Sequence, residues 1–253
     1  MDRHEGYRRL RALAVADEGI LGLIVGGSRG KGFGSDGSDY DVTVVVSDAR
    51  EDGLRASVRD ISAGNDFDVF TVDQFAKHAR WGTPAAAHRY NYAHLRVELD
   101  RTGGELQRLV DEKGRVPESE VRGHIEASLD WFINQVYRSL KAARLGNRVG
   151  RRLEAAEGIR GYLQACFALH EGRLLPYYKY LEWELDRAPL DRLELPTDEL
   201  LGLVFRVLDQ GDPGAQQTLL RTAESTFRPR GYGPVFDSWG EALDWMLDFR
   251  PPK

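Results

Sequence analysis

The chain carries one cysteine among 253 residues, so no disulfide can form within it. That residue, Cys166, lies in the apolar helical pattern Leu163-Gln-Ala-Cys-Phe-Ala-Leu169 and reads as a small core side chain. Long hydrophobic runs are missing too. Nothing approaches the ~18 residues of a membrane span, and Met1-Asp2-Arg3-His4-Glu5 lacks the apolar core of a signal peptide. A cytoplasmic protein is expected. The six histidines, His4, His78, His88, His94, His124 and His170, form no His-Glu-x-x-His pair and no cluster with cysteine, which argues against a structural zinc site. Positive charge is not in excess. With 35 Lys and Arg against 40 Asp and Glu the formal net charge is −5, which argues against a nucleic-acid substrate, whose binders carry a basic footprint. Internal repeats and low-complexity tracts are absent.

What is there concentrates near the start. Gly26-Gly27-Ser28-Arg29 is followed by a glycine-rich loop and then by Ser38-Asp39-Tyr40-Asp41-Val42-Thr43-Val44-Val45-Val46. Side chains two apart on a strand share a face, about 7 Å from one another, so Asp39 and Asp41 are placed to share a divalent ion. Tyr40 points the other way, and Val42 to Val46 read as a strand buried on both faces. Upstream, Gly26, Gly27, Gly30, Gly32 and Gly34 let the backbone approach a ligand, and Ser28 and Ser38 add hydroxyls. Together they make a cradle for a polyphosphate.

Two other readings of these glycines fail on the sequence. Gly32-Phe33-Gly34-Ser35-Asp36-Gly37 matches the dinucleotide fingerprint in form, but it runs into Ser-Asp-Tyr-Asp and a strand where a helix is required. Gly26 to Lys31 is one residue short of a P-loop, and Gly32 stands where Ser or Thr should hold magnesium.

An apolar strand, Gly-Gly-Ser, a short loop and Asp-x-Asp leading the next strand resemble the nucleotidyltransferase superfamily of DNA polymerase β type. Ile20 to Ser28 and Asp39-Tyr40-Asp41-Val42 match it element by element. The resemblance implies one or two Mg2+ ions on Asp39 and Asp41, with ATP as the donor substrate. It also implies a third carboxylate on a later strand. Asn65-Asp66-Phe67-Asp68-Val69-Phe70-Thr71-Val72 supplies it: Asp68 fits the apolar-acid-apolar form, and Asp66, on the same face, serves if the register is shifted. Asp39, Asp41 and Asp68 are thus the expected metal and catalytic residues. Gly27, Ser28, Arg29 and Ser38 are expected at the nucleotide.

Along the chain, helices are expected over 3–16 and 51–61, strands over 20–28, 41–47 and 66–72, and helices again over 73–80, 85–100 and 105–112. The polar stretch Asp111 to Glu120, with Gly114 and Pro117, suggests a domain boundary, giving a nucleotidyltransferase domain over 1–114 and a helical domain over 115–253. Val121, Ile125, Leu129, Phe132, Ile133, Val136 and Leu140 recur at three and four residues in one long amphipathic helix ending near Gly146. Further helices read from Arg148 to Leu169, from Pro176, from Asp198 to Leu208, from Ala215 to Phe227 and from Trp239 to Phe249. The expected class is α+β, a small mixed sheet followed by a helical bundle.

That outline resembles the aminoglycoside nucleotidyltransferases, in which the helical domain closes over the nucleotide and supplies much of the acceptor pocket. The resemblance implies a phosphate-binding lysine from the helical half, and Lys179, among Tyr177, Tyr178 and Tyr180, is the residue for it. The proton of the acceptor hydroxyl falls to Asp68, Asp66, Glu154 or Glu157. An acidic protein suits a cationic small-molecule acceptor and, with the resemblance, a part in antibiotic resistance. Two alternatives stand beside this: a nucleotidyltransferase acting on a protein or RNA partner, as in toxin–antitoxin systems, and a nucleotide-binding protein without transfer activity.

Overall fold

Alternating apolar side chains at the start of the chain close into a four-stranded sheet. The computed structural model describes residues 2–251. Ile20–Val25 (β1) and Asp41–Val46 (β2) pair antiparallel, Asp66–Thr71 (β3) lies parallel to β2, and Val97–Asp100 (β4) runs antiparallel along the other side of β1. The order is β3-β2-β1-β4, a mixed sheet. A parallel pair needs a crossover, and the helix Glu51–Ile61 provides it between β2 and β3.

The period of two sorts the residues of β2 between two cores. Val42, Val44 and Val46 are buried with Leu10 and Ala14 of helix Arg3–Ala16 (α1) and with Leu54 and Val58 of the crossover helix. Val45 and Ile24 face the other way, into Phe75, Tyr92, Leu106 and Val110. Each such valine is worth about 1.5–3 kcal/mol when fully buried. The second layer stops short: Asp41 and Thr43, on the same face as Val45, are only half-buried, and Asp66 and Asp68 beside them are exposed. One end of one sheet face is therefore left open, and the acids stand there.

The expected helix over 85–100 does not form. Pro84–Tyr92 makes 3-10 turns and Val97–Asp100 becomes β4, so the strands are not finished at residue 72. The gain lies outside the segment: β1 has a second edge whose N–H and C=O groups need partners, and β4 supplies them. The first expected strand is shorter than read, because Gly26 ends it and Gly27–Gly30 makes one helical turn.

The chain divides into two compact units, Met1–Pro117 and Glu118–Lys253. The second is helical. Glu118–Arg144 and Arg148–Leu169 form a hairpin about Leu145-Gly146-Asn147, and Asn147 caps the second helix by accepting from the Gly150 N–H at 2.9 Å. Helices Thr197–Gln210, Pro213–Phe227, Gly233–Asp237 and Glu241–Asp248 follow. The helix read from Pro176 starts later, at Leu181, after a 3-10 turn over Tyr178–Tyr180. No helix among the described residues is long and apolar enough to cross a membrane.

His170 joins two segments of this unit, and its surroundings predict that the unit loses stability in acid. A backbone N–H can only donate, so the Arg192 N–H at 3.0 Å makes Nε2 an acceptor, and Nδ1–H donates to the Cys166 carbonyl at 2.7 Å. Burial holds the His170 pKa below its ordinary value, while the nearby Asp191 carboxylate acts in the opposite sense. A depressed folded-state pKa means stability that is present above the unfolded value near 6.5 and lost as pH falls through it, at ~1.4 kcal/mol for each unit between the two values. Thermal melts between pH 7.5 and 5.5 should show a drop in the wild type that His170→Gln, neutral throughout, flattens.

Candidate metal and nucleotide site

Parallel pairing of β2 and β3 sets Asp41 against Asp66 and Thr43 against Asp68. Asp39 precedes β2 in the loop and turns back onto the same end of the face. Carboxylate oxygens of Asp39, Asp41 and Asp66 all lie within 4.8 Å of one another. The third member of this group is Asp66, the shifted-register alternative of the sequence reading. Asp68 stands one pair further along the same face.

The glycine turn is built around Asp41. Gly26 N–H donates to the Asp41 carbonyl at 2.7 Å, so the end of β1 and the start of β2 are locked together. Gly27 follows with φ +56°, the left-handed region, and a Cβ there would stand 1.7 Å from Oδ2 of Asp41. Only glycine admits that carboxylate. The helical turn Gly27–Gly30 begins here, and the N–H groups of Gly27, Ser28 and Arg29 have no carbonyl one turn back within it, as at any helix start. Gly26-Gly27-Ser28-Arg29-Gly30 also spells Gly-x-Ser-x-Gly, the pattern of a serine-hydrolase elbow. The match lacks its partner: among the described residues no histidine hydrogen-bonds to Ser28.

Arg29 and Ser38 hold the loop itself. The Arg29 guanidinium donates to the carbonyls of Ser35 at 2.8 Å and Ser38 at 2.8 and 3.1 Å, and it lies 4.2 Å from the ring centroid of Tyr40. The Ser38 hydroxyl accepts from the Ser35 N–H at 2.9 Å. Lys31, which makes the sequence look like a P-loop, is buried. Its ammonium donates to the carbonyls of Tyr90 at 3.1 Å and Ala93 at 2.5 Å, fastening the turn to the 3-10 segment.

Asp68 lies near enough to His78 to act on it electrostatically. The His78 ring lies 6.3 Å from that of His88; burial and the Lys113 ammonium lower the His78 pKa, and Asp68 pulls it up. The remaining sequence-predicted residues belong to the second unit. Lys179 is exposed, its ammonium 4.7 Å from the Tyr180 ring centroid. Glu154 is paired with Arg138 at 2.8 Å, and Glu157 is exposed.

Three carboxylates so close, in an all-oxygen donor set, have the chemistry of a site for a hard divalent ion such as Mg2+. The space that a Cβ at Gly27 would take is instead occupied by the Asp41 carboxylate. Missed in the sequence were Tyr40 and Asn65, whose bonds hold the acids; Asn65 stands directly before the Asp-x-Asp of β3, and nothing in its spacing marks it.

No protein-family model matches this chain, and no curated protein matches it. Among solved structures it is similar to a nucleotidyltransferase-like protein from Exiguobacterium sibiricum 255-15. The two share 12% identity over 96% of this chain and 89% of the other, with a TM-score of 0.41.

Proposed function

We propose that this protein is a metal-dependent nucleotidyltransferase that moves a nucleoside monophosphate, AMP from ATP, onto a hydroxyl of a small cationic molecule of the aminoglycoside kind. The observation that carries the proposal is the convergence of Asp39, Asp41 and Asp66 beside the glycine turn at the open end of the sheet. Asp39, Asp41 and Asp66 would hold Mg2+, which when bound neutralises phosphate charge as a Lewis acid. The N–H groups at the start of the Gly27–Gly30 turn and the Ser28 hydroxyl would bind the β- and γ-phosphates.

The acceptor oxygen attacks the α-phosphorus, the bond from that phosphorus to the bridging oxygen breaks, and pyrophosphate leaves with the electron pair. Asp68, on the same face one pair along β3, takes the hydroxyl proton. The net charge of −5 favours a cationic acceptor over a nucleic acid. Cytoplasmic pools of Mg2+ and ATP suit this reaction.

Mass spectrometry of the protein with Mg2+, the four ribonucleoside triphosphates and a panel of aminoglycosides tests it. A nucleoside-monophosphate adduct on one drug, absent with Asp41→Asn, is the expected result and names donor and acceptor together. Pyrophosphate released without a drug adduct, or a mass gain on the protein, would move the acceptor to another class. No metal-dependent turnover of any nucleotide would overturn the proposal.

A further inference from the structure

The three acids come from two chain segments, and one buried side chain joins them. Asn65 is 6% exposed. Its Oδ1 accepts the Tyr40 N–H at 3.0 Å, and its Nδ2 donates to the Arg3 carbonyl at 2.9 Å. The next residue completes the link, since the Asp66 N–H donates to the Tyr40 carbonyl at 3.0 Å. Both backbone groups of Tyr40, the residue between Asp39 and Asp41, are therefore held by Asn65 and Asp66.

The Tyr40 ring is fixed as well. It stacks on Tyr7 of α1 at 4.1 Å and 13°, carries the Arg29 guanidinium at 4.2 Å, and its hydroxyl lies 3.0 Å from Nδ1 of His4. Helix α1 reaches this position because Gly6 has no side chain: a Cβ there would stand 2.7 Å from the Ile61 carbonyl oxygen.

We propose that Asn65 is a positioning residue for the metal site: through Tyr40 it sets Asp39 and Asp41 at the separation from Asp66 at which all three bind one cation. This rests on the metal-site reading above. With Asn65 gone, the Tyr40 N–H and the Arg3 carbonyl lose their partner, and the Asp39–Asp41 segment is free to move relative to β3. Residues that orient metal ligands typically govern affinity by 10–100-fold.

Binding of Mn2+ to the full chain, read from the free-ion signal in electron paramagnetic resonance, is the test. Asn65→Ala should weaken Mn2+ binding about tenfold or more and raise by a similar factor the metal concentration needed for turnover. Val58→Ala, which opens the same unit's core without touching the clamp, should lower the melting temperature and leave the Mn2+ affinity within about twofold. If Asn65→Ala does not fold, Asn65→Ser, too short to reach both partners, is measured with the same expectation. Unchanged affinity in the Asn65 variant, or an equal loss in Val58→Ala, overturns the positioning role and leaves the metal site standing. A wild-type chain that binds no Mn2+ overturns the metal site itself, and the positioning role with it.

Discussion

Asp41→Asn is expected to lower nucleotidyl transfer by about a thousandfold or more, on the scale of losing a group that stabilises transition-state charge directly, and to abolish divalent-ion binding. Asp41 is central among the acids: it pairs with Asp66 across the strands, sits against Gly27, and anchors the end of β1 through its carbonyl. The substitution keeps that backbone bond and the side-chain shape, but removes the negative charge and replaces one carboxylate oxygen with an amide NH2 that cannot ligate a cation. The fold should survive, with a stability change of about 0.5 kcal/mol or less. Steady-state assays, Mn2+ titration and a thermal melt of the same variant separate the three quantities. Near-normal metal-dependent turnover would show that the Asp-x-Asp pair is not the metal site.

Gly27→Ala should have the second largest effect, and it should be seen in metal binding before stability. A left-handed φ costs a non-glycine residue about 1–2 kcal/mol, and the added methyl would stand 1.7 Å from Oδ2 of Asp41. The carboxylate must turn away from Asp39 and Asp66, so Mn2+ affinity should fall roughly 10–100-fold. Gly32→Ala is the matched control. Its φ is +86°, so it bears comparable strain, but a Cβ there meets nothing within 4 Å. Isothermal titration with Mn2+ should find Gly32→Ala close to wild type. Equal losses in the two variants would assign the effect to backbone strain and not to the contact with Asp41.

Much of the first unit was legible because its signals are local. The run from Val42 to Val46, the alternation in Asp66 to Thr71 and the amphipathic stretch 51–61 each form the element their period dictates. Val97–Asp100 was misread because four residues carry little period of their own; the edge of β1 makes them a strand. Pro176 satisfies the rule for a helix start, yet the chain turns through Tyr178–Tyr180 first. In the site, the sequence places Arg29 at the nucleotide by its position in the glycine loop, and rejects the P-loop that would have used Lys31. Folded, the Arg29 guanidinium and the Lys31 ammonium lie on backbone carbonyls of Ser35, Ser38, Tyr90 and Ala93.

The sequence by itself determined the α+β class, the order of the first strands and the Asp39–Asp41 pair beside a glycine turn, because strand period and the freedom of glycine act over a few residues. Only the tertiary structure decided that Asp66 joins them, that Gly27 must be glycine for the sake of Asp41, and that Asn65 links the two acidic segments. Those outcomes depend on strand register and on side chains meeting across 14 to 62 positions of the chain. No local pattern encodes such a meeting; packing sets it.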